Sequence, residues 1–184
     1  MPFTNIEFFS FENEIWYRRP DGSINLLDET ANNIISEILE HIATFYPKAH
    51  EALSSEYKGC ALNLPYYRYR IVTRFIRCNF AQLDNIPDLS ERGICNFEFV
   101  SCPLRGECKY ENIICRPTFD HKLSTAEIPV MKLWYDGLNV DGIAEQLHLS
   151  PHTINNHIRN AYQRLNLHSR AEFMRYASQA KLFS

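Results

Sequence analysis

Residues 150–165, SPHTINNHIRNAYQRL, constrain the fold more than any other stretch of the chain. Serine followed by proline is a helix start. The hydroxyl can accept an orphan backbone N–H, and proline lacks an N–H at the one helical position where none is needed. At about 100° per residue, Ile154, Ile158, Ala161 and Leu165 fall in one narrow stripe. His152, Asn156, Arg159 and Gln163 fall opposite, with Asn155 and Asn160 on the shoulders. Such a rod buries one side and offers the other to a polar partner.

The flanking residues supply three more helices. LSTAEIPVMKLWYDGL opens on Ser124 with Glu127 three residues on, a capping box in which each side chain satisfies a backbone N–H at the helix start. Val130, Trp134 and Leu138 recur at four, Pro129 lies early enough to be tolerated, and Gly137 supplies a left-handed end. Asn139 caps VDGIAEQL, whose apolar side is Ile143, Ala144 and Leu147, and a turn at His148 and Leu149 follows. Ser169 and Glu172 form a second capping box ahead of RAEFMRYASQAKL. A short helix, a tight turn and a second helix with a polar outer stripe make a helix-turn-helix. The B-form major groove is about 12 Å wide and admits one helix, where Asn can pair bidentately with adenine and Arg with guanine.

Residues 123–173 resemble the DNA-binding domain of LuxR-type (GerE-like) transcription regulators. The resemblance rests on Leu123, Ser124 and Glu127; Gly137 and Leu138; Ile143, Ala144 and Leu147; Ser150, Thr153 and Ile154; and His157, Asn160, Leu165 and Arg170, spaced without a gap. It implies a four-helix domain whose third helix enters the major groove, usually as a homodimer on paired half-sites of double-stranded DNA. The family positions that face bases correspond to Asn155, Asn156 and Arg159. Thr153, His157 and Arg164, with His152, are the candidate phosphate neighbours, since phosphate contacts set register rather than sequence. The chain departs from the family at Asn155, where lysine is usual, and at Gly142, where an acid caps the second helix.

Charge is distributed in keeping with this. The 184 residues carry a net charge of −3. Residues 1–120 hold 12 Lys and Arg against 17 Asp and Glu; residues 121–184 hold 7 against 5, with five histidines besides. The C-terminal third is the part suited to approach phosphates. No segment approaches the ~20 unbroken apolar residues of a membrane span, and MPFTNIEFFSFENE lacks the basic and apolar runs of a signal peptide, so a cytoplasmic location is expected.

Residues 1–118 read as a separate α+β region, sensory or interacting, ahead of an all-α domain over 119–184. NIEFFSF, EIWYRR and INLLD are strand-like, with PDGS as a turn. Ile34, Ile35, Ile38, Leu39 and Ile42 have helical spacing, KAHEALSSEY suggests a helix after Pro47, and Pro65 opens another over 65–80. In that helix Arg68, Arg70, Arg74 and Arg77 alternate with aromatic and aliphatic residues, the pattern of a solvated basic side, with a nucleic-acid or anion contact as the second reading. AQLDNIPDLSERGI is loop-like. Neither the strand–helix alternation of a phosphoacceptor receiver nor an acyl-homoserine-lactone domain is recognisable.

Cys95, Cys102, Cys108 and Cys115 cluster in CNFEFVSCPLRGECKYENIIC, with Gly106 and Pro103 to bend the chain between them. Four thiolates form a structural zinc site or hold an iron–sulfur cluster; reduced core thiols are the third reading. Cys78 and Cys60 stand outside the cluster, and no base is matched to a cysteine nucleophile, so no enzyme activity is expected. The alternatives to a DNA-reading regulator are a protein-interaction adaptor with a non-reading helix-turn-helix, and a metal- or redox-sensing regulator.

Overall fold

Glu12 and Asn13 occupy left-handed backbone at φ 50° and 67°, and this decides how the chain begins. Two consecutive positive φ values make the tight hairpin turn whose twist matches that of the strands it joins. In this computed structural model, which describes residues 4–80, 82–90, 95–180 and 182–183, the turn pairs β1 (Glu7–Phe11) with β2 (Glu14–Arg18). The register sets Phe9 against Trp16 and Ser10 against Ile15. Gly22 at φ 83° then returns the chain as β3 (Ile24–Leu26), completing an antiparallel sheet in the order β1-β2-β3. The meander expected from the sequence is present. The expected loop over 81–94 is described only in part, since 81 and 91–94 lie outside the described residues.

Three helices follow, α1 (Asn32–Phe45), α2 (Pro47–Glu56) and α3 (Leu64–Asn79). Pro47 does not merely interrupt: it starts α2 in its first turn. Asn63 caps α3, its Oδ1 accepting from the Tyr66 N–H. The stripes of all three meet Phe8, Ile15 and Tyr17 of the sheet in one core that includes Ile38, Ile42, Leu53, Ile71 and Phe75.

The stretch after α3 has little regular structure, so individual groups hold it. Leu89 bridges to Ile6 beside β1, and Asp88 Oδ2 accepts from the Phe8 N–H at 2.6 Å. Asn79, wholly buried, donates through Nδ2 to the carbonyls of Phe75 and Ile114 at 2.9 and 2.8 Å. Its Oδ1 accepts from the Arg116 N–H at 2.7 Å. Phe119 stacks on Phe45 at 5.4 Å. The chain divides into two compact units, 1–120 and 121–184.

The second unit is all helical: α4 (Glu127–Tyr135), α5 (Val140–Leu147), α6 (Pro151–Leu165) and α7 (Arg170–Gln179). Its core gathers Val130 and Met131 of α4, Ile143 of α5, Ile154, Ile158 and Ala161 of α6, and Phe173 and Ala177 of α7. The helical stretch read to Leu182 ends at Gln179, and Lys181 lies outside the described residues.

Candidate nucleic-acid interface

The geometry of α5 and α6 is fixed by their ends. Asn139 Oδ1 accepts from the Gly142 N–H at 2.8 Å, starting α5 without the acid usual at position 142. His148 closes α5 in the left-handed region at φ 54°, and the Leu149 N–H returns to the Ala144 carbonyl at 3.0 Å. This six-to-one bond lets the chain reverse in a few residues. Ser150 Oγ then accepts from the Thr153 N–H at 3.0 Å, and Pro151 takes the first turn of α6. Asn166, left-handed at φ 51°, ends it.

Within α6 the apolar stripe is in the core, except that Leu165 at its end is half-buried. His152, Asn155, Arg159, Asn160 and Gln163 are exposed, and Thr153, Asn156 and His157 half-buried. Arg159 Nη2 donates to Asn156 Oδ1 at 2.8 Å, so these two polar heads are held together one turn apart. Asn155 Nδ2 donates back to the Pro151 carbonyl at 3.0 Å, and Thr153 Oγ1 lies 2.8 Å from Ser150 Oγ.

Arg164 is engaged inside the domain. Its Nε lies 3.2 Å from Glu127 Oε1. Glu127 also completes the expected capping box: its Oε2 accepts from the Ser124 N–H at 2.8 Å, and Ser124 Oγ accepts from the Glu127 N–H at 3.3 Å. The second box is offset, because Glu172 Oε2 accepts from the N–H of His168 rather than of Ser169.

A brace that the sequence did not announce stiffens the other side of the unit. Trp134 Nε1 donates to the Tyr162 hydroxyl at 2.9 Å. The Arg170 guanidinium lies 3.9 Å from the centre of the Trp134 ring and donates to the carbonyls of Trp134 and Leu138. Apolar periodicity marks Trp134 only as a core residue. Its indole N–H, which needs a partner when buried, was the available signal.

A helix-turn-helix with an outward amide and guanidinium stripe is thus in place. Residues 121–177 match the family model GerE, bacterial regulatory proteins of the luxR family. The GerE segment spans all of α4 to α6 and most of α7, and at the level of that family it is a regulatory DNA-binding domain. No curated protein and no solved structure matches the chain.

The cysteine set expected from sequence is divided. Cys95 lines a largely apolar cavity of about 470 Å³ with His41, Phe8, Phe75 and Phe80. There the His41 Nε2 is 3.7 Å from Cys95 Sγ, and Nδ1 is buried without a hydrogen-bond partner. Burial pushes His41 down to about 4 and the Cys95 thiol up to about 12. Cys102 and Cys115 line a different cavity, together with Cys78 of α3. Among the described residues, no group of three or more His, Cys, Asp or Glu is placed to hold one metal ion. No helix of the described residues is long and apolar enough to cross a membrane.

Proposed function

We propose that the protein is a sequence-specific DNA-binding transcription regulator that lays α6 in the major groove of duplex DNA. The observation that carries this reading is the outer stripe of a doubly capped helix, on which exposed Asn155 and Arg159 flank half-buried Asn156. Asn156 and Arg159 are the base readers. Their mutual hydrogen bond at 2.8 Å orients both groups before contact, which lowers the ordering cost on binding. His152, Thr153 and His157, at the N-terminal part of the same helix, are placed as phosphate neighbours. At the first turn, which holds His152 and Thr153, the helix dipole favours anions. Arg164 serves instead as a tie between α6 and α4 through Glu127. A homodimer on paired half-sites, acting in the cytoplasm, is the assembly this domain suits. Residues 1–118 are the sensory or interacting part.

The test is selection of bound duplex from a random pool by the full chain, with Asn156→Ala/Arg159→Ala in parallel. Enrichment of a motif that the double variant no longer selects supports the reading, and a two-fold repeat in it reports the dimer. Equal, sequence-blind binding by both proteins overturns it, and absence of any DNA binding favours the adaptor.

A further inference from the structure

Arg70, Arg74 and Arg77 follow one another at spacings of four and three along α3, so they share one side of the helix. In the fold all three line one cavity of about 550 Å³, formed by α3 with residues 100–105, and Arg105 joins them from that segment. Four of the twelve lysines and arginines of residues 1–120 thus gather here, in a part of the chain that holds seventeen acids. Among the described residues no acid lines the cavity. Like charges one turn apart weaken a helix, so the gathering is unfavourable until something negative settles against it.

The neighbours do not supply that charge. Arg70 Nη1 donates to the Tyr66 hydroxyl at 2.8 Å, and its guanidinium lies 4.7 Å from the centre of the Tyr57 ring. Arg77 Nη2 donates to the Asn13 carbonyl at 2.6 Å. These partners are neutral: they aim the guanidiniums without cancelling them, and each guanidinium has five N–H donors, so most stay available. Glu56 is within electrostatic reach of Arg74, but Lys109 holds it at 3.0 Å and the Tyr110 hydroxyl donates to it at 2.7 Å. Glu111, 3.6 Å from Arg105, makes the one ion pair to the set among the described residues. Burial pushes the Cys78 thiol in the lining up to about 12, so it is neutral and does not stand in for an anion.

We propose that this cavity binds a small organic phosphate, its phosphate taken by the guanidiniums of Arg70, Arg74, Arg77 and Arg105 and its carbon part lying against Val100, Pro103 and Leu104. The planar guanidinium fork matches phosphate oxygens two at a time, which a point charge does not. The volume falls within the range of about 300–1,000 Å³ found for small-molecule sites and is more than a bare phosphate fills. The apolar residues of the 100–105 segment give the remainder of the ligand a surface to cover. A nucleic-acid backbone calls for an open stripe of cations, whereas these converge in a concavity. The proposal deepens the reading of residues 1–118 as a sensory part by naming the chemistry sensed.

The experiment is titration calorimetry of the full chain in phosphate-free buffer with phenyl phosphate, adenosine monophosphate, inorganic phosphate, adenosine and a short single-stranded oligonucleotide. The expected result is that at least one of the two esters binds at a single site per chain, about tenfold tighter than inorganic phosphate, and that adenosine does not bind. Arg74→Gln should weaken that ester about tenfold. Arg68→Gln, exposed on the same helix and outside the lining, should leave it unchanged. If Arg74→Gln does not fold, as judged by circular dichroism, Arg105→Gln at its exposed position carries the same expectation. No ester binding at millimolar concentration, adenosine or inorganic phosphate binding as tightly as the esters, or equal losses in Arg68→Gln and Arg74→Gln overturns the proposal. Binding confined to the oligonucleotide and lost in Arg74→Gln overturns it in favour of a nucleic-acid contact. None of these readouts uses duplex DNA, so failure here and failure of the DNA-reading assignment are told apart.

Discussion

Arg164 Nε lies 3.2 Å from Glu127 Oε1, and this pair ties the C-terminal half of α6 to the first residue of α4. The two ends are unequal, for the arginine side chain is 53% exposed and the glutamate 2%. The buried partner therefore bears the desolvation cost, and the bonds from Ser124 and Arg164 offset it.

Glu127→Gln should destabilise the domain by about 1–2 kcal/mol at neutral pH, because a charge-assisted bond and part of a capping box weaken together. The Glu127 carboxyl is held below its ordinary 4.5: burial raises it, but the Ser124 hydrogen bonds and the Arg164 charge outweigh that. A depressed value contributes stability that is present above pH 4.5 and lost as pH falls through the folded value. Thermal melts of the two proteins should thus differ at pH 7 and converge toward pH 3. A constant gap would show that charge plays no part.

Arg159→Ala should weaken the preferred duplex by about 1–3 kcal/mol and relax selection at one base position. His152→Ala should instead lower affinity evenly across sequences. Titrations against the preferred and scrambled duplexes distinguish the two patterns. Wild-type affinity should also fall steeply with salt, as phosphate contacts release counterions.

His41 carries its own acid sensitivity. A buried neutral imidazole at about 4, against an ordinary 6.5, leaves the unfolded chain binding more protons between those values. Stability of the first unit should fall as pH drops from 6.5 toward 4, by up to about 3 kcal/mol. His41→Leu should remove that slope, read as the urea midpoint across the window. An unchanged slope would place the acid sensitivity elsewhere.

Asp88 acts in the opposite direction. Burial pushes it up to about 9; the Phe8 N–H bond opposes this, and Glu7, Glu98 and Asp84 add to it. Its contribution is full below the ordinary 3.8 and is lost as pH rises toward 9. Asn at this position keeps an acceptor for Phe8 and cannot ionise. Asp88→Asn should therefore gain stability relative to wild type as pH goes from 5 to 8, measured by the same urea midpoints. A relative loss would mean that the carboxylate is ionised and satisfied.

How far each feature could be read in advance follows from the sequence distance of its cause. The start of α6 was legible because Ser150, Pro151 and the Ile154–Ile158 spacing act within two turns. The hairpin strands were equally local. The partner of Arg164 lies 37 residues away and Asn79 acts over 35, and neither carries a periodic signal. The cysteines show the same limit. Spacing along the chain groups Cys95 with Cys102, Cys108 and Cys115, whereas packing brings Cys78 of α3 to the cavity that Cys102 and Cys115 line. Asn155 was read as outward, and it is, but its amide bond to the Pro151 carbonyl depends on a rotamer that sequence does not encode.

Asn79 makes the last turn of α3 and the strand of chain near Ile114 and Arg116 one mechanical part. Its single, wholly buried amide closes three bonds, so neither piece can loosen alone. Any event that tugs on the thiol-bearing segment is felt at once by the helix on which the first unit is assembled. The amide protons of Phe80 and Arg116 should accordingly exchange with solvent on one clock.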